Sequence, residues 1–145
     1  MKKSEKGYTL IELLVVVTII GLLGCLVNTS SKWCEERVLH MKVEEVAAAI
    51  EYVKEAASAT GQNYGLLFGR KQIRVRDEKE NLFVIQLANN QSIPNSLVGR
   101  YMWFMGKPVS SLSTTIRIEN ASIGKCGNIA VRVATSKVRV YYDEM

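Results

Sequence analysis

The first apolar feature of the chain is an almost unbroken run close to its start. Residues 10–27 read LIELLVVVTIIGLLGCLV and contain a single charged side chain, Glu12. As a helix rising ~1.5 Å per residue, this run would be about 27 Å long, close to the hydrocarbon thickness of a bilayer. The pattern predicts a membrane-inserted helix over residues 10–27. Lys2, Lys3 and Lys6 precede it and favour a cytoplasmic N-terminus, with the rest of the chain outside.

Behind this run the spacing of apolar residues becomes that of an amphipathic helix. Apolar side chains recur at spacings of four and three, in the order Leu39, Val43, Val46, Ile50, Val53 and Ala57. Gly61 is a natural helix stop. We therefore expect one long helix, or two nearly continuous ones, over about residues 9–60, weakest at Gly21, Gly24 and residues 28–31. The apolar stripe packs either on the protein's own head or on helices of other chains.

From Gln62 onward the apolar period is two, which is typical of half-buried strands in an antiparallel sheet. The alternation occurs in four segments, which contain Ile73 and Val75, Ile116 and Ile118, Val131 and Val133, and Val138 and Val140. Residues 82–87 and 101–105 are more continuously apolar, so we expect them to be central strands. The predicted turns are residues 69–71, 77–81, 106–108 and 121–128. The fold class is thus α+β, a long N-terminal helix followed by a small antiparallel β head of six or seven strands.

The last two strands are predicted to form a hairpin with its valines on the buried face. With Thr135 and Ser136 as the loop, Val133 would face Val138, and Arg132 would face Arg139 with Lys137 close by. Like charges that lie directly opposite each other are destabilising. Two hypotheses account for them: solvent screening tolerates the pair, or Arg132, Lys137 and Arg139 contact an anion such as DNA.

The charge of the chain is concentrated in the predicted head. The net charge is +5, but residues 62–145 alone hold twelve Lys and Arg against six Asp and Glu, a net +6. Such a balance indicates either an anionic partner, nucleic acid or anionic lipid, or a surface kept soluble by its charge.

Chemistry of the catalytic or metal-binding kind is not predicted. His40 is the only histidine, and the three cysteines form no CxxC pair or Cys/His cluster. No nucleophile elbow or phosphate-binding loop occurs, so we predict no enzyme, no metal site and no cofactor. A disulfide between Cys34 and Cys126 is conceivable in an oxidising compartment, and Cys25 fits a small buried apolar residue.

Three interpretations of the N-terminal region compete. A cleaved secretory signal requires a shorter apolar core followed by a small-x-small site. A plain membrane anchor accounts for the length but not for Glu12, because a carboxylate inside a membrane segment is costly and usually functional.

The third interpretation rests on the string KGYTLIELLVV, residues 6–16, which resembles the type IV prepilin signature. The resemblance implies a leader, residues 1–7, that a membrane-embedded prepilin peptidase cleaves after Gly7. The same peptidase then methylates the amine of Tyr8, which stands where most members have Phe. Glu12 becomes the fifth mature residue. In the family this carboxylate pairs with the N-terminal amine of a neighbouring subunit, and pairing with the chain's own amine is the competing geometry.

The resemblance divides the chain into the leader, a long helix over residues 8–61 with its transmembrane part at 10–27, and a β-rich head over residues 62–145. The alanine-rich end of the helix and the closing segment IAVRVATSKVRVYY are similar to minor pseudopilins of the GspH/FimT group. Some members bind DNA through a C-terminal Gly-Arg-x-Arg segment. Here Ser136 and Lys137 replace the Gly and the first Arg of that segment, which ends at Arg139.

Three functional hypotheses follow. The first is a structural subunit, a minor pilin or pseudopilin, of a type IV pilus, a type II secretion pseudopilus or a DNA-uptake pilus. The second is a DNA-binding receptor at the tip of an uptake pilus. The third is a membrane-anchored domain that never polymerises. The implied partners are the inner (cytoplasmic) membrane, the prepilin peptidase, other pilin-like subunits through the N-terminal helix and, under the second hypothesis, DNA.

Overall fold

The computed structural model describes residues 10–106, 110–132 and 137–145, with only the backbone at residues 26–30. The chain divides into two compact units, Met1–Glu35 and Glu36–Met145. Helix α1, Leu10–Thr60, supplies residues to both units. The predicted helix is confirmed as one element, and the predicted weak points at Gly21 and Gly24 do not end it.

Helix α1 ends where the sequence predicts. Gly61 takes a φ of 70°, a left-handed conformation that glycine adopts without a steric penalty. Its N–H donates to the carbonyl of Ala57 at 3.0 Å, and the Thr60 hydroxyl donates to the carbonyl of Ala56 at 2.7 Å. The first of these bonds satisfies a carbonyl that the end of the helix would otherwise leave without a partner.

Eight strands follow α1 in the described residues, and they form two antiparallel sheets of four. Their bounds are β1 Asn63–Phe68, β2 Gln72–Asp77, β3 Asn81–Gln86, β4 Gln91–Ser92, β5 Tyr101–Met105, β6 Thr114–Asn120, β7 Lys125–Val131 and β8 Val138–Glu144. The first sheet has the order β3-β2-β1-β5 and the second β4-β6-β7-β8. The predicted α+β class is confirmed, but the predicted strand number is too low. Strand β4 has only two residues, and β1 (NYGLLF) lacks a clean alternation of apolar and polar residues.

The core lies in the second unit, between the rear of α1 and the inner faces of the sheets. All six residues of the predicted stripe are buried, at most 1% exposed. They belong to one apolar cluster with Leu66, Phe68 and Met102 of the first sheet and Ile116 and Ile129 of the second. Burying each large aliphatic side chain contributes about 1.5–3 kcal/mol. The stripe therefore packs on the protein's own head, which was the first of its two interpretations.

Two predicted positions in the sheets are wrong. Residues 82–87 and 101–105 were expected to be central, but β3 and β5 are the two edges of the first sheet. Their apolar runs predicted burial on both faces, whereas Phe83 and Tyr101 are each 42% exposed. Of the two central strands, β2 carries the polar residues Gln72, Arg74 and Arg76 on its outer face because that face meets solvent.

The observed turns agree with the predicted ones better than the strand positions do. The β1–β2 turn begins at Gly69, whose N–H donates to the Gln72 carbonyl at 2.8 Å. The β2–β3 turn is held by the Asp77 carboxylate, which accepts from the N–H groups of Lys79 and Glu80 at 2.7 Å each. These two bonds lower the pKa of Asp77, the Glu80 bond most. The predicted turn at 121–128 is too long, since β7 begins at Lys125, and most of the predicted turn at 106–108 lies outside the described residues.

Candidate functional site

The front of α1 exposes apolar side chains all around its circumference. Eleven large aliphatic residues between Leu10 and Leu23 are each 49–84% exposed. An ordinary surface helix keeps such residues on one stripe, and a helix that is apolar on every side is normally covered by protein or lipid. A contiguous apolar surface of this kind marks an interaction site.

Glu12 lies within this apolar surface, in the first turn of α1. Its side chain is exposed and its neighbours along the chain, Ile11 and Leu13, are also exposed. A carboxylate in a first turn is stabilised by the partial positive charge at a helix N-terminus. A cation brought close to Glu12 would attract its carboxylate more strongly once the helix is covered, because covering creates low-dielectric surroundings.

The predicted cleavage site lies outside the described residues. Gly7 and Tyr8 both belong to residues 1–9, so cleavage after Gly7, methylation of Tyr8 and pairing of its amine with Glu12 stay predictions.

The membrane segment was predicted over residues 10–27. In the part of the chain that the structure describes, no helical stretch is both long enough and apolar enough to cross a bilayer. The side chains of residues 26 and 27 lie outside that part.

The register of the closing hairpin differs from the predicted one. Val131 pairs with Val138, and Ala130 rather than Arg132 lies opposite Arg139. The two strands are shifted by two residues, an even number, so the side of the sheet that Val131, Val138 and Val140 face is unchanged. Val133 and the predicted loop, Thr135 and Ser136, lie outside the described residues.

This correction alters the predicted anion site. Arg132, Lys137 and Arg139 are all exposed. Val131 and Val138 are paired, Arg132 directly follows Val131, and Lys137 directly precedes Val138. The direct opposition of Arg132 and Arg139 was wrong, because Ala130 takes the place opposite Arg139. The opposition of Arg132 and Arg139 that motivated the site is therefore absent, and a role of these three cations in DNA contact stays a prediction.

A polar cluster that sequence analysis missed joins α1 to β7 and β8. Lys125 donates to the Glu36 carboxylate at 2.6 Å, and the His40 ring stacks on Tyr142 with centroids 3.9 Å apart. The Tyr142 hydroxyl also donates to the Glu44 carboxylate at 3.5 Å. These residues are separated by about ninety positions or more, so no local sequence pattern could have found them.

Charges and burial shift the pKa values in this cluster. The hydrogen bond from Lys125 lowers the pKa of Glu36, and partial burial raises the pKa of Tyr142, helped by the negative charge of Glu44. A cavity of about 210 Å³ lies beside these residues and also reaches Cys126. Cys126 is buried, Cys34 is exposed, and no disulfide forms among the described cysteines. The arrangement fastens the helix to the sheet.

The described residues contain no group of three or more His, Cys, Asp or Glu side chains that could hold a metal ion. His40, the histidine considered in the sequence, is engaged in the stack on Tyr142.

Comparison with known proteins bears on the first residues. The family model described as the prokaryotic N-terminal methylation motif matches residues 2–24. The match supports a type IV prepilin-like protein, which implies processing by a prepilin peptidase and assembly with pilin subunits. Proteins with this motif are structural rather than enzymatic. No curated protein and no solved structure matches the chain.

Proposed function

We propose that this chain is a structural subunit, a minor pilin or pseudopilin, of a membrane-anchored filament. The observation that carries the proposal is the methylation motif over residues 2–24, which includes the exposed apolar front of α1. The motif accounts for Gly7, Tyr8 and Glu12 together, whereas a plain anchor accounts for none of them.

In this proposal the peptidase cleaves after Gly7 and methylates Tyr8, and the front of α1, including residues 10–27, holds the subunit in the cytoplasmic membrane before assembly. Covering that helix by neighbouring subunits removes its apolar surface from lipid. The Glu12 carboxylate pairs with the Tyr8 amine of a neighbour. At ~4 Å such a pair gains about 1 kcal/mol in water and about 4 kcal/mol at an effective dielectric of 20.

The head agrees with the GspH/FimT group as the subgroup, because a long helix is followed by a small head of two antiparallel sheets. We propose membership of that group, and service in a type IV pilus, a type II secretion pseudopilus or a DNA-uptake pilus.

The mature N-terminus tests the proposal. Mass spectrometry of the native protein should find a chain that begins at Tyr8 and carries one N-methyl group. Gly7→Glu should leave the leader in place, because a long charged side chain cannot enter a cleft that accepts glycine. Gly7→Ala is the control for backbone freedom and should still be cleaved to a measurable extent. An intact leader on wild-type protein, in cells that hold a prepilin peptidase, would refute the proposal.

A DNA-binding receptor is the second candidate function, favoured by the net +6 of residues 62–145 and by the exposed Arg132, Lys137 and Arg139. If these cations contact phosphates, Arg132→Ala with Arg139→Ala should weaken DNA binding by the full chain in detergent. The double variant should also reduce the dependence of affinity on salt concentration. Unchanged binding and an unchanged salt slope would remove these residues from the site.

A further inference from the structure

The outer face of the first sheet carries rings and guanidinium groups. Successive residues of a strand point to opposite faces, and the inner faces of β1, β2 and β5 are buried at Leu66, Phe68, Ile73, Val75, Met102 and Phe104. The outer positions beside them form what we call the ring–arginine face, consisting of Leu67, Arg74, Arg76, Tyr101, Trp103 and Met105. Met105 is 62% exposed and Tyr101 42%, so apolar and aromatic surface faces solvent in the described head.

Gly65 leaves room for the indole ring of Trp103 at the centre of this face. Arg76, Gly65 and Trp103 lie directly across from one another on β2, β1 and β5. A Cβ atom on Gly65 would lie 2.6 Å from Cε3 of Trp103, so the indole ring rests over a position that only glycine can fill. The lack of a side chain at Gly65 thus lets the ring lie across the sheet.

The groups around Trp103 are arranged as a platform. The Tyr101 ring is nearly parallel to the indole, with 9° between the planes and centroids 6.0 Å apart. The guanidinium carbon of Arg76 lies 5.9 Å from the indole centroid, at the outer limit of a cation–π contact. The Arg76 guanidinium group therefore lies near the indole ring but not in close contact with it.

Open space continues over this platform. A cavity of about 450 Å³ is lined by Asn63, Arg76, Glu78, Tyr101, Trp103 and Met105. A second, of about 240 Å³, lies further along the same face, beside Leu67, Gln72 and Arg74. The larger one is within the range of sites that hold small organic groups. The two together offer space for consecutive units of an extended chain.

The two arginines keep their positive charge available. Arg76 donates its Nε–H to the Asp77 carbonyl at 3.3 Å, and Arg74 can donate to the Gln72 amide oxygen at 2.8 Å. Neither takes part in a salt bridge within the described residues. The carboxylate on this face, Glu78, accepts a hydrogen bond from the Asn63 amide. A ligand that suits the face is anionic and presents flat rings.

We propose that the ring–arginine face binds single-stranded nucleic acid, with bases stacked on Trp103 and Tyr101 and phosphates on Arg76 and Arg74. Every base has a flat π face, so stacking on exposed rings beside a cationic strip gives binding with little sequence preference. A duplex keeps its bases stacked on each other and offers the rings nothing. The site is separate from the exposed cations at the β7–β8 connection, and it does not depend on the role of the chain in a filament.

Binding by the full-length chain in a nonionic detergent tests the proposal. The probe is a fluorescein-labelled oligothymidine of about 12 nucleotides, read by anisotropy. Trp103→Ala should weaken binding roughly tenfold, the usual loss for one stacked base, and Trp103→Phe should retain most of the affinity because it keeps a ring. Arg76→Gln should reduce the salt slope by about 0.7. Thermal unfolding of each variant separates loss of the site from loss of the fold.

Matched controls lie on the other sheet. Tyr141 is 44% exposed against 42% for Tyr101, so Tyr141→Ala should leave binding unchanged while Tyr101→Ala weakens it. Trp33 and Trp103 are the two tryptophans of the chain. In a Trp33→Phe background the remaining fluorescence reports on Trp103, and bound bases should quench it.

Probes of altered structure complete the test. An abasic oligonucleotide of the same length has the same charge but no bases, and it should bind much more weakly than oligothymidine. In a background of Arg132→Ala with Arg139→Ala, equal binding of the abasic strand, or of a duplex, would show that charge alone acts and would overturn the proposal. The absence of oligothymidine binding at low salt would also overturn the proposal. If Trp103→Ala left nucleic-acid binding intact and instead blocked incorporation into filaments, the face would be a contact between subunits.

Discussion

At the scale of single residues, Glu12 is the side chain on which the proposed assembly of subunits most depends. It is a carboxylate in the first turn of a helix whose neighbouring side chains are apolar and exposed. The helix N-terminus stabilises that charge only by a few tenths to about 1 kcal/mol, because the effect of the helix dipole is modest. A larger gain requires a cation in a water-poor setting, which subunit packing would supply.

We predict that Glu12→Val leaves the protein cleaved and membrane-associated but reduces its incorporation into filaments at least severalfold. The substitution makes the segment more apolar, so membrane association should not suffer. The neighbouring amine loses its counter-charge, and an unpaired charge in the packed bundle is strongly unfavourable. Immunoblots of membrane and sheared-filament fractions measure both effects.

The control for this change is Glu12→Asp, which keeps the negative charge on a side chain one methylene shorter. Its incorporation should lie between those of the wild type and the valine variant. Wild-type amounts of the Glu12→Val protein in filaments would show that the carboxylate is merely tolerated at this position.

A second residue-scale prediction concerns Glu36 and acid stability. The hydrogen bond from Lys125 lowers the pKa of Glu36 below its ordinary 4.5 in the folded state. The stabilisation is thus fully present above pH 4.5 and is lost as the pH falls through the lowered value. The melting temperature of Glu36→Gln should fall less than that of the wild type between about pH 6 and about pH 3.

Lys125→Met should flatten the acid response to a similar degree, and the double variant should add little. The reason is that both single changes remove the same ion pair. Fully additive effects in such a double-mutant cycle would contradict the assignment of Lys125 as the main cause.

At the scale of secondary-structure elements, the close approach of α1 to β7 depends on one glycine. A Cβ atom on Gly127 would lie 2.2 Å from Cγ2 of Val43 and 3.4 Å from Cε1 of Tyr142. The helix therefore packs directly on the backbone of β7, which allows the stripe residues to reach the core.

Gly127→Ala should reduce the free energy of unfolding by about 1–3 kcal/mol, the usual result of overpacking. Val43→Ala opens space at the same point and should recover part of the loss in the double variant, although it is destabilising by itself. Urea unfolding of the full chain in detergent measures all four proteins. If the stability loss of the double variant equals the sum of the two single losses, Val43 is not the residue that a side chain at position 127 meets.

At the scale of the whole molecule, the second unit contains everything its core requires. The buried stripe of α1 and the inner faces of both sheets all lie within Glu36–Met145. We predict that this fragment folds cooperatively without detergent. A fragment of residues 62–145 should fail to fold, because it loses the eight buried apolar side chains of α1, at about 1.5–3 kcal/mol for each large one.

Thermal unfolding followed by circular dichroism distinguishes the two fragments. A single sharp transition is expected for residues 36–145 and none for 62–145. A fragment 36–145 that bound hydrophobic dyes and melted without cooperativity would show that the first unit is needed for folding.

The sequence by itself determined the elements whose signals are local. The spacing of Leu39 to Ala57 specified the buried face of α1, and Gly61 specified its end, since helix periodicity and left-handed φ values depend only on nearby residues. The methylation motif over residues 2–24 likewise needs no tertiary structure, because it is recognised from the order of its residues alone.

Only the tertiary structure decided which strands are neighbours and therefore which distant side chains meet. The apolar runs of β3 and β5 looked central, and the closing hairpin was predicted two residues out of register, because alternation specifies which face a residue takes but not its partner strand. The same limit hid the platform of Trp103, Gly65 and Arg76 and the pair of Glu36 with Lys125. Each requires residues far apart in sequence to be brought together by sheet order and packing.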